Sequence, residues 1–439
     1  MKRTLLVLYN IVFVPLFFVA LFLASWVNSK IRRGVRGRKN LLGRIRMDMA
    51  KLGLDKPKIW IHVSSYGEFL QVKPVLYQLK ALNPNIITFI TFFSPSGYEN
   101  VQVEHPVDCI SYLPLDSYFH ARKFVSVVNP QLAVIVRHDI WPNFVWRLHR
   151  NTIPLVLIDA TLPDNSSRFW PILRGINRKL FEFLSAILVV SEEEKLKFQR
   201  VVTSPEKIIV AGETKYDQVI ERSKNLSPIE HLLNHRYLST QRVLVVGSSW
   251  ESDESVLIPA FGELSAVFED LVLIIAPHEP APHRVDEIKN RLHSLKLPAV
   301  SLSELTPADA SFKCLIIDRI GILANVYYLG ALAFVGGSFH SKIHNVLEPA
   351  VYGRPVIFGP KMKTSAEAIQ LLKHNAAIQV HSKQEFVTAV TDLLRHPDRA
   401  AQFGQAARQT VMKNVGNSKS IAEYLLTFIP GKTAAATSA

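Results

Sequence analysis

What most constrains this chain is a rhythm that starts at Lys58 and runs through twice. Short, mostly apolar runs alternate with longer stretches of helical period: IWIHV (59–63), IITFIT (86–91), LAVIV (132–136), PLVLID (154–159), AILVV (186–190) and KIIVAG (207–212). Runs this short suit strands covered on both faces, the condition of a parallel sheet. Parallel neighbours need crossover connections, and GEFLQVKPVLYQLKAL (67–82) reads as such a helix. A polar stretch from about Ser223 to Gln241 breaks the pattern. It then restarts with RVLVVG (242–247), LVLIIAP (271–277), CLIID (314–318), LAFVGG (332–337) and PVIFG (355–359). The expected fold is α/β, with two Rossmann-like halves facing a cleft. Ligands in such sheets sit beyond the carboxyl ends of the strands.

The expected division is an anchor over 1–29, a first Rossmann-like domain over 30–225, a second over 226–428 and a disordered tail over 429–439. With 48% hydrophobic residues the chain can bury two sizeable cores. Its two cysteines, Cys109 and Cys314, lie far apart and outside any Cys/His cluster. That pattern gives neither a disulfide framework nor a zinc site, and it suits a reducing compartment.

Before the rhythm begins, Thr4 to Val27 form an apolar run of 24 residues, against roughly 20 needed to span a bilayer. It is too long for the apolar core of a cleaved signal peptide, and it runs directly into arginines. Only Lys2 and Arg3 precede it, whereas Lys30, Arg32, Arg33, Arg36, Arg38, Lys39, Arg44 and Arg46 follow. This asymmetry predicts a single-pass helix with the body on the cytoplasmic face of the membrane, the basic flank lying against anionic headgroups. The net charge of +14 calls for an anionic partner. A basic run beside a membrane span is a topology signal more often than a nucleic-acid arm.

Four strand-end segments carry candidate chemistry. Ser64-Ser65-Tyr66-Gly67-Glu68 opens a helix after a strand. Gly67 would permit a tight turn. Glu68 would serve either as a general base or only as a complement to the helix dipole. Val335-Gly336-Gly337-Ser338 would let backbone N–H groups approach a phosphate, although many such turns bind nothing. In His344-Asn345-Val346-Leu347-Glu348-Pro349, the Asn345/Glu348 spacing is that of a capping box, or Glu348 holds ribose hydroxyls. Ser248 or Ser249, ahead of Trp250, would be a helix cap, a phosphate ligand or both. His278, in Pro277-His278-Glu279-Pro280, is a phosphate contact or an idle loop histidine. GxxxxGK[ST], HExxH, GxGxxG and Asp-x-Asp are all missing from the sequence, so the expected mechanism is metal-free, with no cofactor.

Taken together these segments resemble the 3-deoxy-D-manno-octulosonic acid (Kdo) transferases, collinearly over almost the whole chain. The resemblance rests on SSYGE (64–68), LPLD (113–116), WPN (141–143), SEE (191–193), GETKYD (212–217), VGGS (335–338) and HNVLEP (344–349). It implies a GT-B glycosyltransferase fold and inverting transfer of Kdo from CMP-Kdo to lipid A precursor in lipopolysaccharide core biosynthesis, without metal. Glu68 matches the base; Ser338, Asn345 and Glu348 match residues that bind CMP. With them, Ser248, His278, Gly336, Gly337 and His344 form the expected donor set, and Ser65, Gly67 and Lys215 are acceptor-side or structural. The chain departs from the family at Trp250 (usually His), at Lys342-Ile343 (usually Gly-Gly), at Arg137-His138 (usually Glu) and at Thr161 (usually Arg). Two other readings are a membrane-associated GT-B transferase that uses a UDP-sugar on a lipid acceptor, and a non-catalytic membrane scaffold with a vestigial nucleotide fold.

Overall fold

The computed structural model describes residues 3–429, apart from Leu54, Gln102, Asn165, Pro307, Ala308 and Ala310. The chain divides into two compact units, Met1–Gln218 with Gly416–Ala439, and Val219–Val415.

The first unit is built on β1 (Lys58–Val63), β2 (Ile87–Phe92), β3 (Cys109–Tyr112), β4 (Leu132–Val136), β5 (Leu155–Ala160), β6 (Ala186–Val189) and β7 (Ile208–Val210). All neighbours are parallel, in the order β3-β2-β1-β4-β5-β6-β7. One face packs Trp60 against Phe124 and Phe144, with ring centroids 4.9 and 5.6 Å apart. The second unit holds β8 (Arg242–Ser249), β9 (Leu271–Pro277), β10 (Ala299–Ser301), β11 (Cys314–Ile316), β12 (Leu332–Val335), β13 (Val356–Phe358) and β14 (Ala377–Gln379). Its sheet is also parallel, in the order β10-β11-β9-β8-β12-β13-β14. In the first sheet the chain winds outward from β1 to β3 and restarts at β4 beside β1; in the second it runs from β8 to β9, out to the edge at β10, back to β11 between them, and restarts at β12 beside β8. The switch points are therefore β1/β4 and β8/β12, where doubly wound sheets open to ligands.

Every strand expected from sequence is present. Three others, β3, β10 and β14, were not expected, and all three are sheet edges. An edge strand packs on one neighbour only, so it can be as short as Ala-Val-Ser and need not carry an apolar run.

The chain also crosses between units more often than a division at 225/226 allows. The helix Asn417–Leu426 packs on the helix Tyr66–Leu82 and belongs to the first unit, not to a second domain running to 428. The GETKYD segment receives it. Asp217 accepts from the Gly416 and Ser418 N–H groups at 2.6 and 2.7 Å, capping the returning helix. Gly212, at φ +78°, lies so close to Asn417 that a Cβ would come within 2.3 Å of its side chain. The expected tail beyond Ile429 lies outside the described residues.

At the N-terminus, Leu6–Val27 form one helix long and apolar enough to cross a membrane. It does not stand clear of the body. Tyr9 Oη donates to Asp116 at 2.9 Å, and Asn10 Nδ2 donates to Asn143 Oδ1 at 2.8 Å. Asn10 Oδ1 accepts from the Tyr118 N–H at 3.0 Å. Asn28 then breaks the helix and caps the next, Ser29–Gly37, by accepting from the Lys30 and Ile31 N–H groups. Part of the basic flank is structural. Arg38 donates to the carbonyls of Leu113, Phe93 and Gly34 at 2.7–2.9 Å, and burial pulls its guanidinium down to about 10.

Candidate active site

In the first unit, Glu68 and Asp139 follow β1 and β4, on either side of the switch point. Ser65 is the N-cap of Tyr66–Leu82, and its Oγ accepts from the Glu68 N–H at 3.4 Å. Glu68 Oε2 turns back and accepts from the Ser64 N–H at 2.6 Å. One carboxylate oxygen is thus spent on the helix start. Among the described residues the other accepts no hydrogen bond and is left for chemistry. Gly67 makes no tight turn. It sits in the first helical turn without a positive φ, and a Cβ there would meet nothing closer than Ser65 Oγ at 3.9 Å. The glycine leaves the ground beside Glu68 open.

Beneath this loop runs a closed chain of polar groups. Trp60 Nε1 donates to Thr91 Oγ1 at 2.8 Å, and Thr91 Oγ1 lies 3.0 Å from His62 Nδ1. His62 Nε2 and Ser64 Oγ meet the same oxygen of Asp139, at 3.1 and 2.6 Å. An indole N–H can only donate, and an ionised carboxylate can only accept. His62 Nε2–H donates to that carboxylate, while Nδ1 also lies 3.1 Å from the Thr91 carbonyl oxygen. Burial raises the Asp139 carboxyl, but bonding to His62 and Ser64 outweighs it and holds the group at about 2. Ser64 therefore joins two carboxylates: its hydroxyl to Asp139, its amide to Glu68.

Arg137 has left-handed backbone (φ +67°) and reaches Gln71 at 2.8 Å and Glu213 at 3.1 Å. It ties the Glu68 helix to the GETKYD segment, which no family resemblance anticipates. Lys215 opens the helix Lys215–Ser223, and Thr161 follows β5; both are half-buried.

The second unit answers the phosphate-loop expectation differently. The N–H groups of Gly337, Phe339 and Trp250 all donate to the buried Asp253 carboxylate, at 2.8, 2.9 and 2.9 Å. Gly336 N–H continues the sheet by donating to Gly247 O. Ser338 is fully buried, donating to Val335 O at 3.0 Å and accepting from Gly359 N–H at 2.7 Å. The Gly336 and Gly337 amides and the Ser338 hydroxyl are thus engaged inside the protein. The glycines are still required: a Cβ on Gly336 would lie 2.4 Å from Ser248 O, and one on Gly337 2.2 Å from Lys342 O.

Neither serine caps the next helix; Trp250 holds the N-cap position of Glu251–Val267. Ser249 Oγ donates to Glu254 at 3.0 Å, and Glu254 pairs with Arg284 at 2.6 Å. Ser248 is left-handed (φ +53°) at a register shift between β8 and β9. On the rim, Trp250 stacks on His278 (ring centroids 4.8 Å) and on His340 (4.4 Å), and His278 stacks on His344 (4.4 Å). Trp250 Nε1 donates to His344 Nε2 at 3.1 Å. An acceptor Nε2 puts the proton of a neutral His344 on Nδ1. Burial above all, then His278 and Lys342, pulls this imidazole down to about 4. Asn345 Oδ1 accepts from Leu347 N–H at 3.2 Å and its Nδ2 faces Glu348 at 3.4 Å; Glu348 also lies 3.7 Å from Arg222.

Sequence reasoning missed Asp139, His62, Asp253 and His340. Asp139 carried a usable signal, an acid two residues before a Trp-Pro-Asn at a strand end. Among the described residues, no three His, Cys, Asp or Glu side chains gather as a metal site would require.

Residues 38–218 match the family model described as 3-Deoxy-D-manno-octulosonic-acid transferase (kdotransferase). A 3-deoxy-D-manno-octulosonic acid transferase of Rickettsia prowazekii is 28% identical, over 86% of this chain and 81% of its own. A second, of Haemophilus influenzae, is 25% identical, over 84% of this chain and 87% of its own. Among solved structures, the UDP-GlcNAc 2-epimerase of Neisseria meningitidis superposes with a TM-score of 0.60 at 16% identity, covering 84% of this chain and all of its own. That likeness is one of fold: two Rossmann-like domains, the GT-B plan.

Proposed function

We propose that this chain is a Kdo transferase, a glycosyltransferase of lipopolysaccharide biosynthesis, with CMP-Kdo as its donor and the lipid A precursor (lipid IVA) as its acceptor. The observation that carries the reading is Glu68: one oxygen fixed by the Ser64 amide, the other unengaged, beside an open glycine at the first unit's switch point. In this mechanism Glu68 takes the proton of an acceptor sugar hydroxyl. The oxygen attacks the anomeric carbon of Kdo as the bond to CMP breaks, inverting that centre. His278, Lys342, the Nδ1–H of His344 and Ser248 supply donors to the anionic CMP, and Asn345 and Glu348 supply polar contacts to it. Gly336, Gly337 and Ser338 hold the loop that presents them. Ser65 and Gly67 shape the acceptor side, and Lys215 joins it. A membrane lipid as acceptor accords with the N-terminal helix and its basic flank, with the body on the cytoplasmic face of the inner membrane.

Mass spectrometry of lipid A precursor incubated with the protein and CMP-Kdo tests donor and acceptor together. The expected product carries added Kdo. Transfer from a UDP-sugar instead, with no use of CMP-Kdo, would overturn the donor assignment; no transfer from either would favour a scaffold.

A further inference from the structure

The Leu-Pro-Leu-Asp and Trp-Pro-Asn segments have no part in the site above, yet their last residues, Asp116 and Asn143, are both buried. What they hold is the N-terminal helix. Asp116 accepts from Tyr9, from the N–H groups of Asn143 and Phe144, and Asn143 binds Asn10. Tyr9–Phe13 form a π-helical turn, whose extra residue lets two consecutive side chains, Tyr9 and Asn10, face the body.

The contact does not stop there. Leu6, Val14 and Ser25 are buried, and Asn10, Phe17 and Leu21 are half-buried. Spaced three or four residues apart, these six form one stripe along the whole helix. Phe17 lies against Trp141 and Phe18 against His120. The opposite side is apolar and exposed: Ile11 (68%), Leu16 (65%), Val19, Phe22, Leu23 and Trp26 (66%).

This arrangement is incompatible with a simple crossing. From Tyr9 to Val27 the helix advances roughly 27 Å, nearly the full hydrocarbon thickness of about 30 Å. If it crossed, Asp116, Asn143 and the loops around them would have to follow it through the hydrocarbon, where irregular backbone has no hydrogen-bond partners. If the body stayed outside, the buried Asp116, Asn143 and Asn10 would lose their partners.

We propose that the helix Leu6–Val27 lies in the plane of the membrane, clamped to the first unit by Tyr9 and Asn10, with its outer stripe sunk into one leaflet of an anionic bilayer. Both of its ends are on the side of the body. Exposed cations that follow it, among them Lys30, Arg32, Arg33, Arg36, Lys39 and Arg46, then lie at the headgroups. Beneath it, Phe18, Leu41, Leu115 and Lys39 line an open cavity of ≈ 340 Å³, a mixture of apolar and cationic surface suited to lipid.

The test uses the full chain with one cysteine added ahead of Met1, since Cys109 and Cys314 are both buried. The protein is placed in vesicles of phosphatidylethanolamine and phosphatidylglycerol with the body outside, and a membrane-impermeant maleimide is applied. Equal labelling before and after permeabilisation is expected; labelling only after permeabilisation would overturn the proposal. In the double variant Tyr9→Phe with Asn10→Leu, the fraction labelled from outside is expected to fall at least two-fold as the freed helix crosses. An unchanged fraction would overturn the clamp. Neither readout depends on transfer activity.

Discussion

The two switch points are built alike and spent differently. After β1 and β4, the first unit lines up a polar chain from Trp60 to Asp139 whose last link, Ser64, holds Glu68 by one oxygen and leaves the other unengaged. After β8 and β12, the second unit turns a carboxylate inward, so that Asp253 takes the very N–H groups a phosphate would have used. An acid in the first turn of a strand-end helix therefore has two fates. If it points out, it is available to substrate. If it is buried among loop amides, as Asp253 is, it becomes part of the scaffold.

That contrast is broken most directly at the two acids. Glu68→Gln keeps the shape and the Ser64 contact but removes the proton acceptor. Transfer is expected to fall by about 10²–10⁴-fold in kcat, with CMP affinity unchanged by calorimetry. Near-normal turnover would return Glu68 to the role of a helix cap. Asp253→Ala should do the reverse. It leaves three loop N–H groups without their acceptor, and a loss of about 3 kcal/mol or more in unfolding free energy is expected from denaturant titration. A variant as stable as the parent, with CMP bound more tightly, would mean that Asp253 merely occupies a phosphate site.

Sequence alone was enough for the interior of both sheets, because strands buried on two faces must be apolar throughout. Edges such as Ala299–Ser301 carry no such obligation. Glu68 was legible as a candidate because strand, cap and acid are consecutive. Asp253 was not: an acid at a helix start reads as dipole complementation whether it faces solvent or the Gly337 amide 84 positions away. The same holds for Asp217, whose partner Gly416 is 199 residues distant. Spacing rules see neighbours along the chain, and these residues do their work across it.

The rim of the second unit gives a smaller, pH-dependent effect. His344 is depressed to about 4, below the ordinary 6.5 of an unfolded histidine. The unfolded chain thus binds the proton first, so this residue's contribution to stability is intact above pH 6.5 and is lost as pH falls towards 4. Trp250→Phe keeps the stacking surface but deletes the N–H that faces His344 Nε2. The His344 midpoint, followed by NMR of its ring proton, is expected to rise, narrowing that window. An unchanged midpoint would leave the depression to burial, His278 and Lys342.

The smallest expected effect lies at the link between the two acids of the first unit. Ser64→Ala removes the hydroxyl bond to Asp139 but keeps the backbone N–H that holds Glu68. If the buried chain only stabilises the sheet end, the variant should lose about 1 kcal/mol of stability and nothing else. If it also fixes the direction of the Ser64 amide, and through it the carboxylate of Glu68, kcat should fall by about 5–10-fold with KM unchanged, the pattern of an interaction felt in the transition state. Ser64→Thr, which restores a hydroxyl, should recover most of the rate. A shift in KM, or no recovery with threonine, would show that the polar chain beneath Glu68 belongs to the scaffold, just as Asp253 does in the second unit.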